Sequence, residues 1–324
     1  MSQQRPDSQL PTLLVVDDQA LNIQVLVHIF SPDHAVLTAT SGAQALAVCA
    51  DRLPDLILLD IMMPDMDGHA LCRQLKADVR TRDIPIIFVT TQNNPSEEAA
   101  GLELGAVDFI PRPVNAAVVR ARVRTHLQLR QALRQVWELA FHDTLTGLPN
   151  RRLLNDRLGQ AMAASQRSGC YGALVFLDLD NFKPLNDLHG HEVGDLLLME
   201  ASRRLTQCVR EVDTVARFGG DEFVVLLSAL SSDPVESTEQ ASAVAEKIRN
   251  ALAEPYYMPV VQEGAPPALV EHRCTASLGV ALFLGHDAQH ADLIKWADAA
   301  MYDAKEAGRN MIRFYNRQLS TASA

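Results

Sequence analysis

Carboxylates stand at the ends of short apolar runs in this sequence, where they could bind a metal ion. Asp178 and Asp180 end the run GALVFLDLD, and the period of two in a strand predicts that they share one face. Asp221 and Glu222 follow a Gly-Gly pair at 219–220, which is typical of a tight hairpin turn. If that hairpin lies beside the first run, Asp178 and Asp221 meet at one sheet edge and could bind one or two Mg²⁺ ions. The alternative is that Asp180 caps the next helix and that Gly-Gly-Asp is only a turn.

A second set of polar residues follows strand-like runs in the N-terminal part of the sequence. Asp17 and Asp18 follow the first run, Asp60 and Thr90 end later runs, and Arg112 follows the last. Ligand sites form at the carboxyl ends of parallel strands, so these side chains are expected at one edge. Three carboxylates held together repel unless a divalent cation neutralises them, and a carboxylate beside Mg²⁺ can attack a phosphoryl group. The alternative is that each aspartate only caps the helix that follows it.

The N-terminal part of the chain, which must position the second set, alternates strand-like and helical patterns. Short runs rich in branched residues predict buried strands at Thr12–Val16, Leu56–Leu59 and Ile84–Val89. Amphipathic stretches predict helices near residues 20–30, 42–51, 67–78 and 96–104. This alternation predicts βαβ units, and therefore a doubly wound parallel sheet with helices on both faces.

The C-terminal part also mixes strands and helices, but the hairpin makes its predicted sheet partly antiparallel. Strand-like runs occur at 172–179, 213–218, 223–228 and 274–283, and helical patterns occur at 150–167, 194–210, 236–253 and 291–307. The stretch at 254–273 is rich in Pro and Gly, which predicts a loop or an irregular hairpin. These patterns predict a second α/β domain.

Between the two domains, Val114 to Ala140 forms one helical pattern without Gly or Pro. A short apolar seam steps by four, three and four residues through Leu129, Leu133, Val136 and Ala140, as in a coiled coil. The stretch also carries several arginines, so it could be a solvated helix face. We favour a dimerising connector, because the apolar stripe of such a helix needs a partner.

The composition indicates a globular protein and excludes several classes. The 324 residues suffice for two ordinary domains, and the net charge of -11 argues against a nucleic-acid-binding protein, which normally has a basic surplus. No apolar run approaches the ~20 residues of a membrane span, so no membrane partner is expected. The five cysteines are scattered without a CxxC pair, which suits a cytoplasmic protein better than a disulfide framework.

The N-terminal pattern resembles the response-regulator receiver family over residues 11–128. The matching stretches are LLVVDDQ, LILLDIMMPDMDG, PIIFVTT and GAVDFIPRP. The resemblance implies a (βα)5 fold in which Asp60 accepts a phosphoryl group from a cognate histidine kinase or another phosphodonor.

The receiver resemblance also implies a Mg²⁺ site and a switch around the phosphoacceptor. Asp17, Asp18 and the Met62 carbonyl would surround the ion with the phosphoacceptor itself, and Thr90 would sense the phosphoryl group. The family usually has Lys where this chain has Arg112, which keeps the positive charge but differs in reach and geometry.

Residues 143–315 resemble the GGDEF family of diguanylate cyclases. The signature GGDEF is intact at 219–223, and DTLTGLPNRR, DLDNFKPLND, GHEVGD, SLGVA and ADAAMYDAKEAGRN stand around it in family order and spacing. The resemblance implies a fold similar to the nucleotidyl cyclase and polymerase palm. The expected organisation is then a flexible N-terminus at 1–10, a receiver at 11–128, a connector helix at 129–142, a GGDEF domain at 143–316 and a flexible tail at 317–324.

The GGDEF resemblance implies that two GTP molecules condense into cyclic di-GMP with release of pyrophosphate. Asp178, Asp221 and the Leu179 carbonyl correspond to the ligands of Mg²⁺, which Mn²⁺ could replace. Glu222 corresponds to the group that helps to activate the 3′-hydroxyl, and Lys183 adds a positive charge for the phosphates.

The resemblance also assigns GTP-binding residues. They are Asn186, Asp195, Phe182, Lys183, Gly219, Gly220, Lys305 and Arg309. An amide and a carboxylate can pair with the acceptor and donor edges of guanine, and glycines let the backbone approach the nucleotide. Lys305 and Arg309 are four residues apart, which predicts that both lie on one helix face towards the phosphates.

Regulation is implied by two further features of the resemblance. Arg210 and Asp213 match an RxxD pair at which cyclic di-GMP, the product, inhibits the family's enzymes. Since one domain holds one GTP, the active form is expected to be a homodimer, and a tetramer is an open alternative. The rival interpretation of the whole chain is a catalytically silent module that binds cyclic di-GMP for signalling.

Overall fold

The computed structural model describes residues 10–90, 95–260 and 268–316. The expected flexible N-terminus, apart from Leu10, and the expected tail at 317–324 lie outside these ranges. The chain divides into two compact units between Gln135 and Val136. No helix in the described ranges is both long enough and apolar enough to cross a bilayer.

Unit 1 is a five-stranded sheet in the order β2-β1-β3-β4-β5, and all neighbouring strands are parallel. Its strands are β1 (Thr12–Val16), β2 (Ala35–Ala39), β3 (Leu56–Leu59), β4 (Ile86–Thr90) and β5 (Asp108–Pro111). Its helices are α1 (Ala20–Phe30), α2 (Gly42–Asp51), α3 (Gly68–Ala77), α4 (Pro95–Glu103) and α5 (Ala116–Phe141), which continues into unit 2. The prediction of a doubly wound parallel sheet is confirmed.

Alternate residues of the interior strand β1 explain why both faces of this sheet are covered. Leu14 and Val16 belong to one buried cluster, whereas Leu13 and Val15 belong to another on the opposite face. A strand that is apolar at every position is stable only where helices shield both sides from water. The same arrangement brings the carboxyl ends of β1, β3, β4 and β5 to one edge.

Helix α5 begins where Asn115 accepts hydrogen bonds from the backbone N–H groups of Ala117 and Val118. Its arginines are not simply solvated: Arg122 donates to Asp108, and Arg130 lies 3.8 Å from the Asp55 carboxylate. These ion pairs secure the first half of the helix to unit 1.

The apolar seam of α5 is uncovered in this chain. Leu129, Leu133 and Val136 are 54%, 61% and 63% exposed, and the neighbouring Trp137 and Leu139 are also exposed. Exposed apolar patches of this kind often mark interaction sites, so dimerisation through the seam stays a prediction.

Unit 2 is built around a mixed sheet in the order β12-β11-β6-β8-β7. Its strands are β6 (Gly172–Leu179), β7 (Thr214–Gly219), β8 (Glu222–Leu227), β11 (Ala276–Phe283) and β12 (Ile312–Phe314). Only β12 is parallel to its neighbour within this sheet; the other pairs are antiparallel. The helices are α6 (Arg151–Ser168), α7 (Phe182–His189), α8 (His191–Cys208), α9 (Pro234–Ala253) and α10 (His290–Glu306).

The central strand β6 is buried on both faces. Val175 and Leu177 pack in a cluster with residues of α8 and α9, and Leu174 and Phe176 pack with residues of α6 and α10. The end of β6 is therefore held firmly, which fixes the position of Asp178.

Two sequence predictions for unit 2 need correction. The single helix expected at 194–210 is preceded by the unexpected α7, and α8 begins at His191 because Gly190, at φ +85, breaks the path between them. Strand β12 was not predicted either. The stretch at 254–273 forms an antiparallel pair, β9 (Tyr256–Val260) with β10 (Ala268–His272), and the intervening residues 261–267 lie outside the described ranges.

Candidate functional site

The acidic residues of the second unit meet where β6 ends beside the hairpin of β7 and β8. Asp178 on β6 is the cross-strand partner of Glu222 at the start of β8, and the Leu179 N–H donates to the Asp221 carbonyl over 3.3 Å. The strand register thus brings Asp178, Asp221 and Glu222 to one end of the sheet, as the hairpin argument predicted.

The turn of this hairpin leaves room for a ligand. Gly219 ends β7 and Gly220 has φ +53, a left-handed conformation that glycine adopts without strain. Within the described parts of the chain, no atom lies within 4 Å of where a Cβ would stand at either glycine. The two glycines therefore leave the turn backbone open to close approach from outside.

Negative charge accumulates at this site. Burial, together with the charge of Asp221, raises the pKa of Asp178, although a hydrogen bond from Lys305 at 2.7 Å opposes the shift. Burial raises the pKa of Glu222 as well, and the charges of Asp178 and Asp298 add to the effect. A divalent cation would relieve this repulsion, so the oxygen-rich site fits Mg²⁺.

Lys305 and Arg309 do not share a helix face, so that prediction is wrong. Lys305 lies in the last turn of α10, which ends at Glu306, whereas Arg309 has φ +64 and lies in the turn that follows. Gly308 between them, at φ +122, takes the chain out of the helix. The Lys305 ammonium reaches Asp178, and the Arg309 side chain is exposed.

The predicted guanine-binding residues lie on the short helix pair α7 and α8. The Oδ1 atom of Asn186 is buried and accepts no hydrogen bond from any described residue. Gly194 on α8 allows this position, because a Cβ there would lie 1.9 Å from that oxygen and 3.2 Å from Phe182 Cζ. Asp195 is the exposed residue that follows Gly194. A buried acceptor left free beside an exposed carboxylate fits a ligand that donates hydrogen bonds.

Phe182 and Lys183 are the first residues of helix α7, which begins three residues after β6 ends at Leu179. Phe182 is 9% exposed and packs in the core, and Lys183 is exposed. The N-cap residue of this helix, Asn181, has φ +61, and its side chain makes no capping hydrogen bond. Lys183 and the first backbone N–H groups of α7 are thus placed at the end of β6.

Asp180 does not cap α7, so that interpretation is wrong. Its N–H donates to the Thr275 carbonyl at 2.8 Å, which continues the pairing of β6 with β11 beyond Leu179. The Asp180 carboxylate instead accepts the hydroxyls of Thr275 and Ser277, each at 2.7 Å, and the N–H of Asn310 at 3.1 Å.

Arg217 is a residue of the site that sequence reasoning missed. Its Nη1 lies 3.0 Å from Asp143, and its Nε and Nη2 donate to the Gly220 carbonyl at 2.9 Å and 2.7 Å. Arg217 therefore joins the start of the domain, two residues after α5 ends, to the turn of the hairpin. Its proximity to the signature, two residues before Gly219, was the available signal.

Arg210 and Asp213 form their own ion pair. Asp213 is buried and accepts hydrogen bonds from Arg210 Nε at 3.2 Å, from the Arg210 N–H and from the Ser228 N–H. The Arg210 side chain is 57% exposed. Asp213 thus holds one side of the guanidinium while the rest faces solvent.

In unit 1, the predicted cluster of acids is assembled at the carboxyl edge of the sheet. The carboxylates of Asp17, Asp18 and Asp60 offer oxygens that lie within 4.8 Å of one another. The Oδ1 of Asp18 is buried and accepts no hydrogen bond from the residues that the structure describes. An orphaned carboxylate oxygen in such a cluster fits a bound Mg²⁺ ion.

Arg112 lies over this cluster. It donates to Asp17, and its Nη2 lies 3.7 Å from an Asp60 oxygen. Burial raises the pKa of Asp60 to about 6, because the opposing charge of Arg112 only partly offsets it. Thr90, at the end of β4, is buried, and the Met62 side chain is exposed beside the site. The guanidinium therefore reaches the acids from the position that the family gives to Lys.

The parallel five-stranded unit with an acidic pocket, followed by an α/β unit with an acidic hairpin, defines a response regulator that carries a GGDEF output domain. The chain belongs to the GGDEF family: residues 140–311 match the family described as "Diguanylate cyclase, GGDEF domain". Residues 13–124 match the "Response regulator receiver domain".

Curated relatives share one or both units. Response regulator PleD of Caulobacter vibrioides is 30% identical over 311 residues, which are 93% of this chain and 65% of PleD. The bifunctional diguanylate cyclase/cyclic di-GMP phosphodiesterase MucR of Pseudomonas aeruginosa is 42% identical over 66% of this chain and 30% of its own length. The chain thus spans less than two thirds of either relative.

A solved structure also resembles part of this chain. The coiled coil and GGDEF domain of DgcB from Caulobacter crescentus, in complex with c-di-GMP, has a TM-score of 0.52 and 26% identity. The match covers 61% of this chain and 97% of that one.

Proposed function

We propose that this protein is a diguanylate cyclase that condenses two GTP into cyclic di-GMP and two pyrophosphates. The observation that carries the proposal is the meeting of Asp178, Asp221 and Glu222 at the open Gly-Gly turn. Membership of the GGDEF family supports the same reaction.

The metal site of the proposed enzyme consists of Asp178, Asp221 and the Leu179 carbonyl. Bound Mg²⁺, or Mn²⁺ in its place, would neutralise and orient the triphosphate. Lys305, which pairs with Asp178 in this structure, would then contact the phosphates together with Arg309 and Lys183.

The guanine is held between α7 and α8. The free Oδ1 of Asn186 accepts a hydrogen bond from the base, and the exposed carboxylate of Asp195 accepts another. Glu222 takes the proton of the 3′-hydroxyl as that oxygen attacks the α-phosphate of the second GTP and pyrophosphate leaves. The glycines of the turn let the nucleotide lie against the backbone.

The reaction joins two GTP molecules through two phosphodiester bonds, and one domain of this size holds one GTP. Two domains must therefore face each other, and the exposed seam of α5 is the surface by which two chains pair. The coiled coil in the DgcB structure supports this role for the connector. Pairing of two receivers brings the cyclase domains together, and a tetramer is an alternative assembly.

The proposed reaction is tested by incubating the purified full chain with GTP and Mg²⁺ and measuring cyclic di-GMP and pyrophosphate together with molar mass. Formation of both products in a dimer supports the proposal. If calorimetry shows that the chain binds cyclic di-GMP or GTP while no pyrophosphate appears, the protein is instead a silent binding module.

Phosphorylation of Asp60 is expected to raise the cyclase activity about 5- to 150-fold, the range of an ordinary allosteric coupling. The added charge of about -1.5 to -2 lies beside Thr90 and Arg112 and favours the paired receivers. Turnover and molar mass, measured with and without a small-molecule phosphodonor, check this. Asp60→Asn should show neither change.

The matched control is Asp65→Asn, an exposed aspartate of the same loop with φ +67, a conformation that Asn tolerates. This variant should respond to the phosphodonor as the unmodified chain does. An Asp60→Asn variant that is activated equally well would contradict the mechanism.

Arg210→Ala is expected to raise the inhibition constant of cyclic di-GMP about 10-fold or more, because a charged hydrogen-bond donor to a phosphate or base is lost. Initial rates over a series of product concentrations give the constant. Arg203→Ala is the control, because Arg203 is 55% exposed and pairs with Glu200 three residues away. Equal inhibition of both variants would remove Arg210 from the inhibitory site.

A further inference from the structure

A buried carboxylate without a part in the proposed mechanism lies two residues beyond Asp178. Asp180 is 2% exposed, and three donors surround it. Its Oδ1 accepts the Ser277 hydroxyl, and its Oδ2 accepts both the Thr275 hydroxyl and the Asn310 N–H. Such charge-assisted hydrogen bonds are strong where water is excluded.

The contact with Asn310 is unusual because it secures a turn whose backbone is disfavoured. Gly308, Arg309 and Asn310 have φ values of +122, +64 and +47, and the last two are L residues in a left-handed conformation. Backbones of this kind persist only where the surroundings hold them in place, and they concentrate at functional sites.

Four hydrogen bonds hold this turn, and they differ in what they connect. The Arg309 N–H donates to the Ala304 carbonyl at 3.0 Å and the Gly308 N–H donates to the Lys305 carbonyl at 3.4 Å, and both bonds are local to the end of α10. The Asn310 Oδ1 accepts from Arg249 Nη1 at 2.9 Å, which reaches α9. Asp180 links the turn to the end of β6, where Asp178 lies.

We propose that Asp180 is a positioning residue, which sets the place of Arg309 relative to the acidic site. This inference rests on the proposed function in one respect, the assignment of Arg309 to the GTP phosphates. Lys305 pairs directly with Asp178 on β6. Arg309 is linked to the end of β6 through the N–H of the next residue, Asn310, which donates to Asp180. Asp178 and Asp180, which lie two residues apart at the end of β6, thus position both cations.

The test is the affinity for a non-hydrolysable GTP analogue with Mg²⁺, measured by calorimetry on the full chain. Asp180→Ala should weaken binding about 10-fold, because the turn is released and Arg309 leaves the phosphates. Asp180→Asn should restore most of the loss. Its amide oxygen can still accept from Asn310 and Thr275, while its NH₂ donates to Ser277.

A double-mutant cycle separates positioning from a merely structural role. If Asp180 acts through Arg309, Asp180→Ala should cost less than about 2-fold further in an Arg309→Ala background. An undiminished 10-fold loss in that background overturns the inference, as does a lowered melting temperature with unchanged affinity. If Asp180→Ala fails to fold, Asp180→Ser, whose side chain is too short to accept from the Asn310 N–H, replaces it in the same cycle.

Ser237→Ala is the stability control, because Ser237 is fully buried on α9 and its hydroxyl donates to the Ser231 and Asp233 carbonyls. It should lower the melting temperature and leave the affinity unchanged. The affinity measurement does not require the protein to convert GTP. A chain that binds the analogue but makes no cyclic di-GMP overturns the proposed function alone, whereas a chain that binds no GTP overturns both.

Discussion

Replacing Glu222 by Gln is expected to lower the rate of cyclic di-GMP synthesis by about 100- to 10,000-fold, the usual contribution of a general base. The amide has nearly the same shape but cannot take the proton of the 3′-hydroxyl. Burial and the charges of Asp178 and Asp298 raise the pKa of Glu222, which increases its affinity for a proton. Steady-state synthesis at saturating GTP and Mg²⁺ measures the loss.

The control for this variant is Glu239→Gln, an exposed glutamate on α9. It has the same chemical change away from the site, and its rate should equal that of the unmodified chain. The affinity of Glu222→Gln for the GTP analogue separates a catalytic effect from a binding effect. A variant that still makes product at the normal rate would assign proton removal to water or to a metal-bound hydroxide.

Gly194→Ala is expected to raise the KM for GTP about 10- to 100-fold, although it adds only a methyl group. The new Cβ would stand 1.9 Å from Asn186 Oδ1 and 2.9 Å from its Cγ. Since real side chains do not approach so closely, the Asn186 amide must rotate away from the base. Loss of a buried hydrogen-bonding group typically costs about 1–3 kcal/mol, which corresponds to this range.

Steady-state kinetics and the competition between GTP and ATP check the effect of Gly194→Ala. Gly159→Ala is the matched control, because it adds the same methyl group to helix α6, where the nearest atom is the His290 ring at 3.0 Å. In an Asn186→Ala background, Gly194→Ala should change KM little. A fall in kcat with unchanged KM would contradict the argument.

The helices and strands with a clear hydrophobic period could be predicted from sequence, because that period depends only on neighbouring residues. The runs that became β1 and β3 are buried at every position and are apolar apart from Thr12, a pattern that only a sheet buried on both faces explains. The Gly-Gly pair identified the hairpin, and strand register then brought Asp178 to Asp221. The short elements α7 and β12 were not predicted. They have eight and three residues, which are too few to show a period.

The remaining errors concern residues whose environment is made by distant parts of the chain. The partners of Asp180 lie at 275, 277 and 310, so no pattern around position 180 could reveal them. Arg309 was placed on a helix by spacing, although Gly308 was a signal that the helix had ended. Apart from its position two residues before Gly219, the role of Arg217 is visible only in its contacts with Asp143 and Gly220.

The bridge that Arg217 makes between Asp143 and the Gly220 carbonyl determines where this output domain could be cut and grafted. The first strand of its sheet starts at Gly172, yet a transplant that begins there discards one anchor of the nucleotide turn. A junction between Asp143 and Gly172 would keep the predicted site residues on the sheet but would remove the Asp143 contact of Arg217. In a chimaera with another input domain, the transferred segment should therefore start upstream of Asp143, within the last turns of α5.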